Sequence, residues 1–126
     1  MRAILITEGP ARRVLALSRS DDAPIYQDEL FQGLDHRSKK KIVNYIAFLS
    51  KSKFPVVNIN ISKPLKGYHN LYELRPLPVR LFFFMIGNDA VITHGIVKKK
   101  DKTDKKEIQR AENLKAIFIK GDGDDA

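Results

Sequence analysis

Short apolar runs with turn residues between them divide this chain into candidate strands. Residues 2–7 and 13–18 are rich in Ile, Leu and Val, and Glu8-Gly9-Pro10 separates them as a turn. The pattern predicts a β-hairpin at the start of the chain. Later, short connections between apolar runs predict three strands joined as antiparallel hairpins, over 71–75, 79–86 and 90–97.

Helical spacing of apolar residues is found between the hairpin and these later strands. A short helix is predicted over 25–33, and Asp35 is a suitable N-cap for a second helix over 36–51. These two helices are expected to form a hairpin on the sheet. Residues 53–67 are predicted to be irregular, because Pro55 and Pro64 interrupt regular structure there. The apolar stripe of the second helix consists of Ile42, Val43, Ile46 and Leu49.

The strand over 79–86 is apolar on both faces for most of its length, which predicts a central strand covered on both sides. The helical hairpin covers one face, and the other requires the last helix or a partner protein. That helix begins near Asp104, whose three-residue spacing to Glu107 is typical of a capping box. Its apolar stripe consists of Ile108, Ala111, Leu114 and Phe118.

The 126 residues suit one α+β domain over 1–120, and the acidic segment 121–126 is expected to be disordered. The absence of cysteine excludes disulfides, a thiol nucleophile and Cys-ligated metals. The longest apolar run, over 81–86, is too short to span a membrane, and the N-terminus lacks the pattern of a signal peptide. We therefore expect a cytoplasmic protein without membrane contact.

The net charge of +8 is concentrated in one part of the chain. Residues 37–120 contain 19 Lys and Arg against six acids, whereas both ends are mildly acidic. Such a basic region is typical of proteins that bind a polyanion or an acidic partner. A solvated surface that aids solubility is an equally good interpretation of the charge alone.

Familiar enzyme motifs are absent, and no pair of histidines has metal-ligand spacing, so we predict no metal and no cofactor. His94 falls within a predicted strand and is interpreted as a structural histidine. His36 is expected to be exposed at a helix start. His69 lies in the loop beside two lysines, where a functional role is one of two open interpretations.

Cations gather around the ends of the predicted strands. Lys63 and Lys66 precede the first strand of the meander, Arg75 ends it, Arg80 begins the next, and 98–100 follow the last. Arginine offers a rigid donor fork for phosphate, and neighbouring cations lower the pKa of a lysine, which then serves as a base. Such a set suits RNA cleavage by attack of the ribose 2′-hydroxyl. A solvated run of charge is the alternative interpretation for 98–106.

From Lys63 onward the chain resembles the RelE/HigB superfamily of type II toxins, especially its phage-derived HigB-like branch. The order and spacing of five segments produce the resemblance, over about 55 residues. These are Lys63-Pro64-Leu65-Lys66-Gly67, Leu71-Tyr72-Glu73-Leu74-Arg75, Val79-Arg80-Leu81-Phe82-Phe83, Thr93-His94-Gly95-Ile96-Val97-Lys98-Lys99 and Glu107-Ile108 to Ala111.

The resemblance implies a RelE/ParE-like antiparallel sheet with an N-terminal helical hairpin and a C-terminal helix. It also implies a toxin that cleaves mRNA on translating ribosomes without metal. The expected partner is a cognate antitoxin, often of the helix-turn-helix type.

By position in the family pattern, Lys63, Lys66 and Arg75 are the expected catalytic residues. RNA contacts are expected from Arg80, Lys98, Lys99 and His69. Many active members have a Tyr or His near the C-terminus, and 98–118 contains neither, so the general acid and base stay unassigned. Two alternatives are a ParE-like toxin that acts by protein contact on gyrase and a non-catalytic RNA-binding regulatory module.

Overall fold

The computed structural model describes residues 1–20, 23–53, 60–98 and 104–124. Within these ranges, six strands form one sheet, and helices cover both of its faces. The strands are β1 (Arg2–Glu8), β2 (Arg13–Ser18), β3 (Ser62–Pro64), β4 (Tyr72–Leu74), β5 (Val79–Ile86) and β6 (Asp89–Val97). The helices are α1 (Ile25–Leu30), which continues as a 3₁₀ turn over Phe31–Gly33, α2 (His36–Lys51) and α3 (Lys105–Asp124).

The strand order is β1-β2-β6-β5-β4-β3, so β5 and β6 are central, as the two apolar faces of β5 predict. Neighbouring strands are antiparallel except β2 and β6, which run parallel from the pair Val14–Ala90 to the pair Ala16–Ile92. A parallel pair requires a crossover connection. Here the chain between β2 and the rest of the sheet includes α1 and α2. The architecture is α+β, as expected.

The two predicted N-terminal helices are confirmed, and they cover one face of the sheet. The side chain of Asp35 accepts a hydrogen bond from the Ser38 backbone N–H at 2.8 Å, which caps α2. Val43 differs from the predicted stripe, because 59% of it is exposed. The buried residues of the stripe, which pack against Leu81 and Phe83 of β5, are Ile42, Ile46 and Leu49.

The α1 helix packs beside the part of β6 that extends beyond β2. This close approach depends on Gly95, because a Cβ atom there would lie 2.5 Å from Leu81 Cδ2 and 2.7 Å from Leu30 Cδ1. The absence of a side chain at Gly95 thus lets the helix reach the strand.

The α3 helix covers the opposite face, which is one of the two coverings that the sequence leaves open. Its buried residues Ala111 and Leu114 pack over Phe82 and Phe84 of β5. The helix extends to Asp124, whereas the sequence predicts disorder from residue 121; each of its two glycines, Gly121 and Gly123, costs only about 1 kcal/mol relative to alanine. Residues 125 and 126 lie outside the described part of the chain.

The interpretation of 53–67 as irregular is wrong for its last part, because β3 forms there. Its pairs with β4 are Ser62–Leu74, Lys63–Glu73 and Pro64–Tyr72. A proline is tolerated because β3 is the edge strand and needs no outward donor. A strand of three residues is too short to show an apolar alternation. Residues 54–59 lie outside the described ranges.

The C-terminal end of α2 is tied to the loop between β1 and β2 by a buried arginine. Arg12 is 4% exposed; its Nε donates to the Leu49 carbonyl at 3.0 Å and its Nη2 donates to the Ser52 carbonyl. The backbone N–H groups of Ala11 and Arg12 both donate to the Ser50 carbonyl. A cation at this position also complements the helix dipole. Burial lowers the pKa of Arg12.

Candidate functional site

The cations at the β3–β4–β5 side of the sheet gather around one carboxylate. Lys63 lies directly opposite Glu73 in the β3–β4 register. Glu73 Oε1 is 3.5 Å from Arg75 Nε and 3.4 Å from Arg80 Nη1. Arg75 ends one strand and Arg80 begins its antiparallel neighbour, which predicts that the two lie close together. The structure confirms this, and Glu73 joins them. This group is called the Glu73 cluster below and consists of Lys63, Glu73, Arg75 and Arg80.

Burial differs sharply within the Glu73 cluster. The side chains of Glu73 and Arg80 are 0% and 3% exposed, whereas that of Arg75 is 19% exposed. A carboxylate removed from water is strongly destabilising unless cations compensate it, and two guanidinium groups on one oxygen do so. The sequence indicates only an isolated acid at Glu73. Alternation identifies its face of the sheet, but not the covering layer that buries it.

The loop between β3 and β4 contains two further predicted residues. Lys66 and His69 are both exposed. The backbone N–H of Leu65 donates to the Leu71 carbonyl at 2.9 Å and closes the loop. From α3, Lys115 Nζ donates to the His69 carbonyl at 2.6 Å. The loop is thereby fixed to the helix, while the Lys66 side chain remains accessible.

Asn70 orders the end of this loop and was not predicted from the sequence. Its backbone is left-handed, with φ at 50°, a conformation that asparagine tolerates better than most residues. Its side-chain Nδ2 donates to the Met85 carbonyl at 2.8 Å, and its Oδ1 accepts from the Met85 N–H at 2.9 Å. The side chain thus continues the β4–β5 ladder by one pair.

Lys98 directly follows β6 and is half-buried. Its backbone N–H donates to the Pro78 carbonyl at 2.9 Å, which brings the end of β6 beside the turn between Arg75 and Arg80. Lys99 was predicted to contact RNA and lies outside the described residues.

His94 is a structural histidine, as predicted. It is fully buried and stacks on Phe82 with ring centroids 4.9 Å apart. Its Nδ1 lies 3.3 Å from Thr93 Oγ1, and its Nε2 lies 3.2 Å from Glu107 Oε1. Half of the predicted capping box forms: the Asp104 side chain accepts a hydrogen bond from the Lys106 N–H and caps α3. The other half does not, because the Glu107 carboxylate contacts His94 instead. The predicted exposure of His36 is confirmed.

The burial of His94 makes stability depend on pH. Burial lowers the pKa of His94, the charge of Arg110 lowers it further, and the contact with Glu107 opposes both. The unfolded chain therefore binds a proton at a higher pH than the folded protein does. The stabilising contribution is complete above the unfolded pKa of about 6.5 and is lost as the pH falls below it.

We expect the free energy of unfolding to fall between pH 7.5 and 5.5, by at most about 1.4 kcal/mol per pH unit for one proton. The measurement is urea denaturation at several pH values. His94→Gln should flatten this dependence, and His36→Gln, at an exposed position, should retain it. An unchanged slope in His94→Gln would contradict the assignment.

Residues 29–116 match the family described as phage-derived protein Gp49-like. The chain belongs to this family. Gp49-like proteins are RelE-like toxins, and the match includes every described residue of the Glu73 cluster together with Lys66, His69 and Lys98. The hairpin of β1 and β2 precedes the matched part of this Gp49-like chain.

Among solved structures, this Gp49-like protein is similar to a chain of the RelB-RelE antitoxin-toxin complex from Methanococcus jannaschii. The similarity has a TM-score of 0.47 and 19% identity, and it covers 70% of this chain and 93% of the other. No curated protein matches the sequence. No helix in the described ranges is long and apolar enough to cross a membrane. The described residues also contain no group of three His, Asp or Glu arranged to hold a metal ion.

Proposed function

We propose that this Gp49-like protein is the toxin of a type II toxin–antitoxin system and that it cleaves mRNA on translating ribosomes in the cytoplasm. Its partner in this proposal is a cognate antitoxin, of the helix-turn-helix type. Family membership supports the toxin assignment. The nuclease assignment is supported by one observation: Arg75 and Arg80 both pair with the buried carboxylate of Glu73, and Lys63 lies opposite Glu73 on β3.

The chemistry follows from the accessibility of these groups. A lysine, Lys66 or Lys63, accepts the proton of the ribose 2′-hydroxyl, and the 2′-oxygen attacks the adjacent phosphorus. The bond to the 5′-oxygen of the next nucleotide breaks, which leaves a 2′,3′-cyclic phosphate and, after protonation, a 5′-hydroxyl. Negative charge develops on the phosphorane oxygens, and the guanidinium of Arg75 stabilises it. Lys98 and His69 supply further contacts to RNA in this proposal, as does Lys99.

The proposal is tested by incubating the purified protein with translating ribosomes and mapping the new 5′ ends of the mRNA. We expect codon-associated cleavage, with a rate at least about 100-fold lower in Arg75→Ala, because one preorganised charge-stabilising group is lost. Lys66→Ala should also reduce the rate. Arg19→Ala removes an arginine whose side chain is 57% exposed, far from the Glu73 cluster in sequence, and serves as the control.

Absence of cleavage by the wild-type protein would contradict the nuclease assignment, as would equal cleavage by a protein that lacks both Arg75 and Lys66.

The same assay examines a second candidate, ribosome binding without cleavage. That candidate is favoured by the absence of Tyr and His from residues 98–118, which leaves no such acid or base there. Co-sedimentation with ribosomes without new 5′ ends would support it.

A further inference from the structure

Glu73 is the acidic residue at the centre of the proposed RNA-cleaving cluster. A carboxylate repels phosphate, so its presence among the cations requires a compensating role. It is completely buried, and the arginines Arg75 and Arg80 both approach the same oxygen, Oε1. One partner, Arg80, is nearly as buried as Glu73, whereas the other, Arg75, is the most accessible of the three.

We propose that Glu73 is a positioning residue that orients Arg75 toward the scissile phosphate, and that Arg80 is the buried counter-ion of Glu73 rather than a phosphate ligand. This inference rests on the proposed function and deepens it. It divides two arginines that look equivalent in the sequence into one that contacts RNA and one that acts through Glu73.

The geometry of the guanidinium group supports this division. Arg75 Nε lies 3.5 Å from Glu73 Oε1, and 19% of the Arg75 side chain is exposed. An exposed guanidinium offers donors that bind two phosphate oxygens at once. Arg80 instead faces Glu73 through a terminal nitrogen, Nη1, and is 3% exposed. At this burial, the Arg80 guanidinium is shielded from an RNA phosphate at the surface.

The position of the cluster on the sheet supports a fixed orientation. Glu73 belongs to β4, which is paired on both sides, with Lys63 opposite it on β3 and Phe82 opposite it on β5. Its backbone is therefore held by the ladder, and its side chain by burial. A long arginine side chain loses rotamer freedom when it pairs with a carboxylate held in one place, so the entropy loss precedes RNA binding.

Removing the Glu73 charge should strengthen RNA binding, whereas losing its positioning role should slow catalysis. These opposite effects make the proposal testable. Glu73→Gln removes a negative charge beside two arginines, so RNA should bind more tightly, with KM at least about twofold lower. The same change releases Arg75, so kcat should fall by about 10- to 100-fold, the usual effect of a displaced catalytic group. A merely structural role for Glu73 would lower stability without this opposed change in kcat and KM.

Two variants control for charge and for shape. Glu8→Gln makes the same change in net charge at an exposed residue of β1 and should leave kcat unchanged. Glu73→Asp retains the carboxylate and should restore part of kcat. Unchanged kcat in Glu73→Gln, with RNA cleavage by the wild-type protein intact, would overturn the positioning role and leave the nuclease assignment standing.

The single variant leaves Arg80 buried without its carboxylate, so folding is checked by circular dichroism. If Glu73→Gln does not fold, the double variant with Arg80→Gln replaces it, because it contains no unpaired buried charge. Its net charge equals that of the wild-type protein. We expect the double variant to combine a reduced kcat with a KM close to the wild-type value, and a wild-type kcat would overturn the proposal.

A further test uses the wild-type protein, so it does not depend on whether a variant folds. A 2′-O-methyl RNA oligonucleotide binds without being cleaved, and ¹⁵N NMR reports on each arginine side chain. We expect the Nε–H signal of Arg75 to shift on binding and that of Arg80 to stay in place. Equal shifts, or none at Arg75, would overturn the proposal. A selective Arg75 shift in a protein that does not cleave RNA would instead contradict the nuclease assignment alone.

Discussion

Replacing Phe82 with alanine is expected to lower the free energy of unfolding by about 3–5 kcal/mol, the usual loss for a fully buried aromatic residue. Phe82 is 0% exposed, and it packs between the sheet and α3 with Leu65, Leu71 and Ala111. Its ring also supports His94. Urea denaturation followed by circular dichroism provides the measurement.

Phe48→Ala is the control for this prediction, because Phe48 is 39% exposed on α2. This change is expected to lower the free energy of unfolding by about 1 kcal/mol or less. If Phe82→Ala is no more destabilising than Phe48→Ala, the packing of α3 on this face is contradicted.

Replacing Arg12 with alanine is expected to lower the free energy of unfolding by about 3 kcal/mol, since buried carbonyl acceptors lose a charged donor. The acceptors are the carbonyl groups of Leu49 and Ser52, at the end of α2. The loop between β1 and β2 would keep its backbone hydrogen bonds to Ser50 but lose its side-chain contacts with the end of that helix. Differential scanning calorimetry should show a lower Tm.

The neighbouring arginine provides a matched control for Arg12. The Arg13 side chain is 49% exposed, and its Nη2 is 2.5 Å from Asp89 Oδ2. Exposed ion pairs of this kind contribute little in water, so Arg13→Ala should leave Tm nearly unchanged. Equal losses for the two variants would show that the helix-capping contacts of Arg12 are not stabilising.

Much of the fold was predictable, because local patterns determine it. The two apolar faces of β5 indicate a central strand, and Asp35 marks the start of α2. The parallel pairing of β2 with β6 was not predictable in the same way, since nothing in the pattern of either strand specifies a partner so distant in the chain. The edge strand β3 has only three residues, one of them Pro64, and its pairing depends on β4.

The sequence predicts which residues belong to the candidate site better than it predicts the contacts between them. A short connection between antiparallel strands predicts that Arg75 lies near Arg80, and the structure confirms it. The role of Glu73 depends on burial, which the tertiary packing determines. Asn70 and Arg12 were missed for a similar reason, because each uses its side chain to satisfy backbone groups far away in sequence.

The parallel pairing of β2 with β6 also has a consequence for the order of folding. It joins Val14 to Ala90, so the first hairpin cannot take its place in the sheet before β6 has been synthesised. By contrast, β3 to β6 form a continuous meander with short-range pairings, and the Glu73 cluster belongs entirely to it. Local contacts form faster than distant ones, because shorter loops lose less entropy on closure. We therefore expect the meander to form first and the N-terminal hairpin to join it last.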